Sequence, residues 1–312
     1  MSYDLISMKK IAAIDIGSNA LRLAIAEIHA HDHLVVTKRV RIPLRLGGDA
    51  FSQKTFSETT MNKTERVFKN FKKILKDENV EEISALATSA FRESANSPAL
   101  SERIEKSSGI KIKTIDGIEE ANTIYLGISP SGLLQNESAV LIDLGGGSLE
   151  ITLVKKGMLV KTHSFDLGTL RLLNLKNKKE RKEFLNKFSQ DITEFIKNQD
   201  LSKTCLIGTG GNLRRLGKLR KKVFKKDDIT FMRKAEINSL YEKAKDISLL
   251  NRAKKLDLQI NKAEVLIPTL EVLRMLFTLI PANRIILPNL GLIDGIFQRI
   301  LLKEKTKHIA LF

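Results

Sequence analysis

Tryptophan is absent from this chain of 312 residues, and aromatic residues make up only 5% of it. Hydrophobic residues as a whole amount to 42%, which is enough for real cores. Those cores must therefore be built mainly from isoleucine, leucine and valine. The single cysteine, Cys205, excludes an internal disulfide and agrees with a reducing cytoplasm. Because Cys205 lies in a predicted buried strand, we interpret it as a small core residue.

Long apolar runs are missing as well. No stretch approaches the ~20 apolar residues that a membrane span needs, and residues 1–10 lack the apolar core and cleavage site of a signal peptide. We therefore expect a cytoplasmic protein with no membrane partner, in which the residues before Met8 are a dispensable extension. The chain also lacks a G-x-x-x-x-G-K-S/T loop, which argues against a P-loop nucleotidase.

Acidic residues are outnumbered: 53 lysines and arginines against 36 aspartates and glutamates give a net charge of +17. Such a bias favours polyanionic partners, namely nucleic acid, an anionic membrane surface or a phosphate polymer. The alternative is that solvated lysine-rich helix faces account for all of the charge. Nucleic acid is the least favoured partner, because no stacking aromatics are interleaved with the basic runs and no nucleic-acid-binding module is recognised.

Two aspartates are each followed by a glycine-containing turn at the end of an apolar run. Asp15 follows residues 11–14 and begins the sequence D-I-G-S-N, whereas Asp143 follows residues 139–142 and begins D-L-G-G-G-S. The apolar runs predict buried strands. Glycine lets backbone N–H groups approach an anion, and a neighbouring aspartate suits a divalent cation bound to phosphate. The pattern predicts a phosphorylated substrate held between two related domains.

The order strand, Asp-Gly turn, strand opens both halves of the chain, which predicts a duplicated α/β unit. We expect a first domain over residues 1–122, which a C-terminal helix over 292–312 can complete, and a second over 123–291. Apolar residues at a helical period predict a helix from Ser57 to Glu78, with others near Ala235–Leu249, Ala263–Leu279 and Gly291–Lys303.

Six motifs in chain order then identify a family. They are D-I-G-S-N, A-T-S-A-F-R-E-S-A-N, G-I-E-E-A, D-L-G-G-G-S-L-E, D-L-G-T-L-R-L and G-T-G-G. Together they resemble the exopolyphosphatase / guanosine pentaphosphate phosphatase (Ppx/GppA) family over roughly Lys9 to Ile300. The resemblance implies an α/β fold of two ribonuclease-H-like domains, as in actin-like ATPases, with the active site in the cleft between them. Longer family members carry additional C-terminal domains, so the chain resembles a minimal two-domain form.

The resemblance also implies catalytic roles. Glu120 is the expected base for water, with the adjacent Glu119 as the fallback, and Arg92 is expected to clamp phosphate in a bidentate manner. Asp143, Asp15 and Glu150 are the expected metal site for Mg²⁺, with Mn²⁺ as the alternative. The competing interpretation of Glu119 and Glu120 is a pair of solvated carboxylates that favour the positive end of a helix dipole.

Further residues are expected to bind phosphate through backbone N–H groups, hydroxyls or a guanidinium. They are Gly17, Ser18, Asn19, Thr88, Ser89, Gly145, Gly146, Gly147, Ser148, Arg171, Gly208, Gly210 and Gly211. Three positions depart from the family pattern: Asn212 replaces a usual threonine, Ile293 a usual arginine, and Glu264 a usual aspartate. These departures affect the prediction of the substrate more than the prediction of hydrolysis.

Two basic runs follow the proposed loops, one over residues 176–182 and the other over residues 214–226. We interpret them as a cationic track for a long polyphosphate, with plain solubility as the main alternative. The resulting hypothesis is a Mg²⁺-dependent hydrolase that removes terminal orthophosphate from polyphosphate, from guanosine pentaphosphate, or from both, in the context of the stringent response. A homodimer is plausible by the resemblance.

Several alternatives stay open. Within the hydrolases, a short-chain polyphosphatase or a nucleoside di- or triphosphatase fits the same motifs. Outside them stand a non-catalytic regulator that binds polyphosphate or a guanosine penta- or tetraphosphate, and a phosphotransferase of the same fold. Retention of Glu120 and Asp143 argues against the regulator, whereas the late departures at Asn212 and Ile293 leave it open.

Overall fold

The computed structural model describes residues 9–175 and 177–309. The chain forms two compact units. Residues up to Asp116, together with the stretch that begins at Leu292, form the first unit, and Gly117–Gly291 form the second. Lys176, which belongs to one of the basic runs, lies outside the described residues.

The first unit begins with three consecutive strands, and helices and strands then alternate. Its elements in this part of the chain are β1 (Lys10–Ile16), β2 (Ala20–Ile28), β3 (Leu34–Pro43), α1 (Leu46–Gln53), α2 (Glu58–Asp77), β4 (Glu82–Ala87), α3 (Ser89–Glu93), α4 (Ser97–Ser108) and β5 (Ile112–Thr114). The five strands form one sheet in the order β3-β2-β1-β4-β5. The pairs β1–β2 and β2–β3 are antiparallel, whereas β1–β4 and β4–β5 are parallel.

The second unit begins with a helix and then repeats the same strand plan. Its elements are α5 (Gly117–Ile128), β6 (Ser138–Leu144), β7 (Leu149–Lys155), β8 (Met158–Phe165), α6 (Thr169–Asn174), α7 (Lys178–Ile196), β9 (Thr204–Thr209), α8 (Gly211–Phe224), β10 (Phe231–Arg233), α9 (Lys234–Ala244), α10 (Leu249–Leu256), α11 (Ile260–Glu264), α12 (Leu266–Leu279) and β11 (Arg284–Ile286). Its sheet has the order β10-β11-β9-β6-β7-β8.

Five strands of each sheet share one topology, and the second sheet has one further edge strand, β10. In each, the first strand (β1 or β6) pairs antiparallel with the strand that follows it and parallel with a later strand (β4 or β9). This is the ribonuclease-H-like arrangement, so the predicted α/β fold class is confirmed, and with it the duplicated plan.

The core of the first unit lies on both faces of its sheet. On one face, Ile14 and Leu23 pack with Phe68 and Phe71 of α2. On the other face, Ile11 and its neighbours pack with the last helix, α13 (Leu292–Ile309). The C-terminal helix therefore belongs to the first unit although it follows the second along the chain.

The core of the second unit is dominated by leucine and isoleucine, with a small aromatic group of Phe165, Phe188 and Phe195. Both cores are thus largely aliphatic, as expected for a chain without tryptophan. Within residues 9–175 and 177–309, the helices are all too short or too polar to cross a membrane.

The predicted helix over residues 235–249 is wrong in its extent. α9 ends at Ala244, and a separate helix, α10, begins at Leu249. The guanidinium of Arg252 stabilises the break, because it donates hydrogen bonds to the carbonyl oxygens of Ala244, the last residue of α9, and of Ile247 in the connecting segment. Those bonds satisfy carbonyl groups that a continuous helix would have paired internally.

Candidate functional site

Three carboxylates of the second unit come together in a cluster. Glu120, Asp143 and Glu150 each offer an oxygen, and these oxygens lie within 4.8 Å of one another. Glu120 and Glu150 are buried, with exposed fractions of 7% and 2%. Three ionised carboxylates at this separation repel one another, and burial removes the water that would screen them. A divalent cation offsets that cost, and hard oxygen ligands are the ones that Mg²⁺ prefers. The donor set therefore fits the predicted metal.

Strand register explains why two of these carboxylates meet. Asp143 near the end of β6 and Glu150 near the start of β7 are direct partners in the antiparallel pair. Side chains of directly opposed residues project to the same face of a sheet, with Cβ atoms about 5 Å apart. The tight turn through Gly145–Gly147 fixes this register, so the hairpin alone places Asp143 beside Glu150.

The third carboxylate arrives on a helix. Glu120 lies in the first turn of α5, and α5 packs against β7 and β8. Gly117, at the start of α5, permits this approach: a Cβ atom built there would lie 2.2 Å from the Cβ of Ser164 on β8. Ser164 in turn donates a hydrogen bond of 2.8 Å to the Oε1 atom of Glu150. Gly117 and Ser164 therefore join the helix to the carboxylate cluster.

Asp143 is held from the other side by the G-T-G-G motif over residues 208–211, the third glycine loop along the chain. The hydroxyl of Thr209 donates to the Oδ1 atom of Asp143 and also contacts the carbonyl oxygen of Ile142 at 3.2 Å. Gly210 has a φ of +93°, and a Cβ atom there would come within 3.0 Å of the same Oδ1 atom. The G-T-G-G motif thus supplies a hydroxyl donor and a close backbone approach to Asp143.

The loop over residues 145–148 is fastened to the start of α6. Backbone N–H groups of Thr169 and Leu170 donate to the carbonyl oxygens of Gly145 and Gly146, at 3.1 and 2.8 Å. Arg171 donates from Nε to the carbonyl oxygen of Gly147 and from Nη2 to Asp166. The structure therefore gives Arg171 a role in holding this loop, and its predicted contact with phosphate stays a prediction.

Two further residues tighten the same assembly. Gly168 lies so close to the loop that a Cβ atom there would be 2.1 Å from the carbonyl oxygen of Gly146. The amide of Asn212, at the start of α8, donates at 3.1 Å to the hydroxyl of Thr169, and both residues are buried. Asn212, one of the departures from the family pattern, thus links the third glycine loop to the loop over residues 145–148.

The predicted site residues of the first unit form a separate set. Asp15, at the end of β1, is 4% exposed, pairs in register with Arg22 on β2 and forms an ion pair with that guanidinium. The hydroxyls of Ser18 and Ser89 are 2.9 Å apart, so the first loop touches the start of α3. The three residues of this loop, Gly17, Ser18 and Asn19, also make backbone hydrogen bonds to Ala20, Gly47 and Arg45.

Thr88 directly precedes the short helix α3, and Arg92 lies in its last turn. The hydroxyl of Thr88 lies 3.5 Å from the carbonyl oxygen of Ile16, and Arg92 donates at 2.9 Å to the carbonyl oxygen of Ile115. The roles of Asp15, Arg92 and the first loop in binding metal or phosphate stay predictions. The carboxylates that the structure brings together are all in the second unit.

Several residues around the cluster escaped sequence reasoning, namely Gly117, Ser164, Gly168, Thr169 and Thr209. Gly117 and Gly168 lie in the G-I-E-E-A and D-L-G-T-L-R-L motifs, and a glycine within such a motif indicates close packing. Ser164 offers no such signal, because its partner Glu150 is fourteen residues away on the neighbouring strand. Only the pairing of β7 with β8 brings the two together.

The second basic run is less uniform than its sequence indicates. Arg220 is buried, pairs with Glu236 at 2.9 Å and lies over the ring of Phe231. It is therefore a structural residue and not part of a cationic track. Lys218, Lys221, Lys222 and Lys225 are exposed, although Lys221 and Lys222 have acidic neighbours, Asp227 and Asp257.

Comparison with known proteins gives a family match over most of the chain. The model of the Ppx/GppA phosphatase family matches residues 24–304. The bifunctional 3-dehydroquinate synthase/phosphatase of Fusobacterium nucleatum is 32% identical over 168 residues, which cover 52% of this chain and 25% of that protein. Exopolyphosphatase 2 of Mycobacterium tuberculosis is 31% identical over 180 residues, which cover 53% of this chain and 54% of that protein.

A guanosine-5'-triphosphate,3'-diphosphate pyrophosphatase of Pseudoalteromonas translucida is also similar, with 29% identity over 162 residues that cover 52% of this chain and 32% of that protein. The chain thus spans about half or less of the length of these curated relatives. Their activities bear on this protein through shared motifs only.

Solved structures agree with the fold over nearly the whole chain. A Ppx/GppA family member from Aquifex aeolicus has a TM-score of 0.79 at 24% identity, covering 95% of this chain and 99% of that one. An exopolyphosphatase from Cytophaga hutchinsonii has a TM-score of 0.86 at 22% identity, covering 94% and 98%. At these identities the likeness establishes the fold and leaves the substrate open.

Proposed function

The chain belongs to the Ppx/GppA phosphatase family, and from that premise we propose that it hydrolyses terminal phosphoanhydride bonds. The proposed substrates are inorganic polyphosphate, guanosine pentaphosphate, or both, and the product is orthophosphate. The observation that carries the proposal is the cluster of Glu120, Asp143 and Glu150, whose oxygens lie within 4.8 Å of one another beside two glycine loops.

In this proposal Asp143 and Glu150 would hold Mg²⁺, with their carboxylates oriented by hydrogen bonds from Thr209 and Ser164. When bound, the ion would neutralise charge on the terminal phosphoryl group. Backbone N–H groups of the loop over residues 145–148 bind the phosphate oxygens, since glycines leave those groups accessible to an anion.

Glu120 is the proposed base. It orients a water molecule and accepts its proton as the water oxygen attacks the terminal phosphorus. The bond from that phosphorus to the bridging oxygen breaks, and its electron pair stays on the shortened chain. Glu120 is buried on a helix that packs against β7 and β8, and such burial restricts the positions that a carboxylate can take, which is what a positioned base requires.

The test is phosphate release by the purified protein with Mg²⁺, from long-chain polyphosphate and from guanosine pentaphosphate. We expect Glu120→Gln to lower kcat by about 10²–10⁴, the usual contribution of a general base. The matched control is Glu137→Gln, an exposed acidic residue of the same unit, which should leave kcat unchanged. Glu119→Gln, tested in parallel, decides between the two adjacent glutamates.

Three outcomes would contradict the proposal. Loss of activity in Glu119→Gln but not in Glu120→Gln would move the base to Glu119. Tight binding of either substrate without phosphate release would favour a non-catalytic regulator. Transfer of phosphate to ADP or a small metabolite in place of water would favour a phosphotransferase.

A further inference from the structure

Six basic side chains line a cavity of about 820 Å³ among the helices of the second unit. Three acidic side chains line it as well, so the described lining carries three more positive than negative charges. The walls come mainly from α7, α9, α10 and α12. Within the part of the chain that the structure describes, the cavity shares no residue with the predicted catalytic, metal or phosphate-binding set, although Lys178, Arg181 and Lys182 belong to the basic run over residues 176–182.

Arg181 of α7 is the central donor. Its Nη1 atom lies 3.6 Å from the Oε2 atom of Glu271 on α12, which is an ion pair but too long for a hydrogen bond. Among the described residues, neither the Nε atom of Arg181 nor the Oε2 atom of Glu271 has a hydrogen-bond partner, although both atoms are buried. Buried polar groups are nearly always paired. The lining of the cavity therefore includes one donor and one acceptor atom whose hydrogen-bonding capacity the described residues do not use.

Two exposed lysines add charge to the lining. Lys178 and Lys182 lie one helical turn apart on α7, so they share the face that carries Arg181, and Lys178 lies 3.9 Å from the carboxylate of Asp246. Arg252 adds fixed charge, because it donates to the carbonyl oxygens of Ala244, Ile247 and Ala263. Lysine ammonium groups and an arginine guanidinium converging on one space are the donor set that phosphate groups bind.

One wall of the cavity is partly apolar. Ile267 and Met275 of α12 line it together with Tyr241 of α9, and Glu271 and Arg274 of α12 line the cavity beside them. The guanidinium of Arg274 lies 4.1 Å from the centre of the Tyr241 ring, so the arginine covers one face of this ring. A volume of about 820 Å³ falls within the range of pockets that hold small organic ligands. A bare phosphate chain would leave this apolar wall unused.

We propose that this cavity binds a nucleoside polyphosphate. The phosphate groups contact Lys178, Arg181 and Lys182, and the base lies against the wall formed by Tyr241 and α12. The proposal does not rest on the hydrolysis described above, since it uses neither the carboxylate cluster nor a metal ion.

Oxidative footprinting reads the cavity directly. Met275 and Tyr241 are oxidised by hydroxyl radicals at rates that follow their exposure, and mass spectrometry measures each rate. We expect ATP, added with EDTA so that metal-dependent turnover is silent, to slow the oxidation of both residues. Met158, an exposed residue on β8, corrects for radicals scavenged by ATP itself. Phosphate release is not measured, so an inactive enzyme leaves the result unaffected.

A paired variant tests the assignment of the phosphates. In Lys178→Gln/Lys182→Gln the ATP concentration for half-protection should rise at least about tenfold, because two charge-assisted contacts are lost. Lys179→Gln/Lys187→Gln is the matched control on the same helix, with the same change of charge, and should bind as the wild type does. Adenosine should protect Met275 and Tyr241 from oxidation only weakly, and tripolyphosphate should protect them less than ATP does.

Three results would overturn the proposal. Equal protection by tripolyphosphate and ATP would remove the role of the base and of the apolar wall. Absence of protection by ATP would show that the cavity does not bind a nucleoside polyphosphate. Protection that persists unchanged in Lys178→Gln/Lys182→Gln would show that the phosphate groups do not bind at these lysines.

Discussion

The proximity of Glu120, Asp143 and Glu150 predicts that metal binding stabilises the second unit. An ion that binds the folded state only raises the free energy of unfolding, and the gain grows with its concentration above the dissociation constant. We expect Mg²⁺ to raise the melting temperature of the wild type, and to raise it far less in Asp143→Asn. Differential scanning fluorimetry across a Mg²⁺ series measures both.

The control for this experiment is Asp191→Asn, an exposed residue on α7 outside the cluster, which should respond to Mg²⁺ as the wild type does. An equal rise in all three proteins would mean that the ion binds elsewhere, and would remove Asp143 from the metal site. The readout needs no substrate, so it holds whichever phosphate compound the protein acts on.

Glu271 gives the free energy of unfolding a second dependence on solution conditions. Burial raises the pKa of this carboxyl above its ordinary value of 4.5, although Arg181 and Arg274 nearby partly oppose the shift. A raised pKa means that the folded state holds the proton more tightly than the unfolded chain does. Its contribution to stability is therefore fully present below about pH 4.5 and is lost as the pH rises through the raised folded pKa.

Replacement of Glu271 by glutamine should remove this dependence. We expect the stability of Glu271→Gln relative to the wild type to increase between pH 4.5 and pH 8, because the wild type alone must bury a charge at the higher pH. Urea denaturation at several pH values measures it. The attraction between Arg181 and the ionised carboxylate is already part of the net rise in this pKa, so a difference between the two proteins that does not change with pH would contradict the prediction.

At the scale of single elements, the approach of α5 to β8 decides where Glu120 lies. A Cβ atom at Gly117 would overlap the side chain of Ser164, so Gly117→Ala must displace the start of the helix or the strand. Overpacking of this kind costs about 1–3 kcal/mol, and a displacement near 1 Å at a catalytic group lowers kcat by about 10². Phosphate release and thermal unfolding measure the two effects.

Gly48→Ala is the matched control for this change. Gly48 lies inside α1, and a Cβ atom there would meet nothing within 4 Å, so the substitution should leave activity unchanged. Full activity in Gly117→Ala would show that the position of Glu120 does not depend on this contact, and would weaken the assignment of Glu120 as the base.

Elements whose signals are local were predictable from the sequence. The helix predicted over residues 57–78 is α2, Glu58–Asp77, because its apolar face has a helical period and the hydroxyl of Ser57 accepts a hydrogen bond from the N–H of Thr60 at the N-terminus. The division between α9 and α10 was not predictable, because Arg252 stabilises it through contacts with carbonyl groups five and eight residues away.

In the candidate site, too, only the local contacts follow from the sequence. Asp143 lies beside Glu150 because both belong to one hairpin, and the glycines at residues 145–147 indicate its turn. The arrival of Glu120 depends on packing between α5 and β8, and no periodicity in the sequence reports that contact. The motifs indicate that Glu120 belongs with Asp143 and Glu150, but the contacts that bring it there are those of Gly117 and Ser164.

At the scale of the whole molecule, the basic residues that give the net charge of +17 include the run over residues 214–226. α8 begins directly after the G-T-G-G loop that holds Asp143, and its fourteen residues extend for about 21 Å. Lys218 and Lys225 are exposed on or just beyond this helix. A phosphate chain bound at the carboxylate cluster and long enough to follow α8 would meet them, whereas a short one would not.

This geometry predicts a dependence on chain length. In Lys218→Gln/Lys225→Gln, KM for long-chain polyphosphate should rise about threefold to tenfold, because two favourable charge contacts are lost. Both kcat and the KM for tripolyphosphate should stay as in the wild type, since neither lysine touches the reacting phosphate. Lys187→Gln/Lys203→Gln, with the same loss of charge at exposed positions outside both basic runs, separates a local contact from the effect of net charge. Equal increases in KM for long and short substrates, or in both variants, would show that the basic run on α8 serves solubility and not a track.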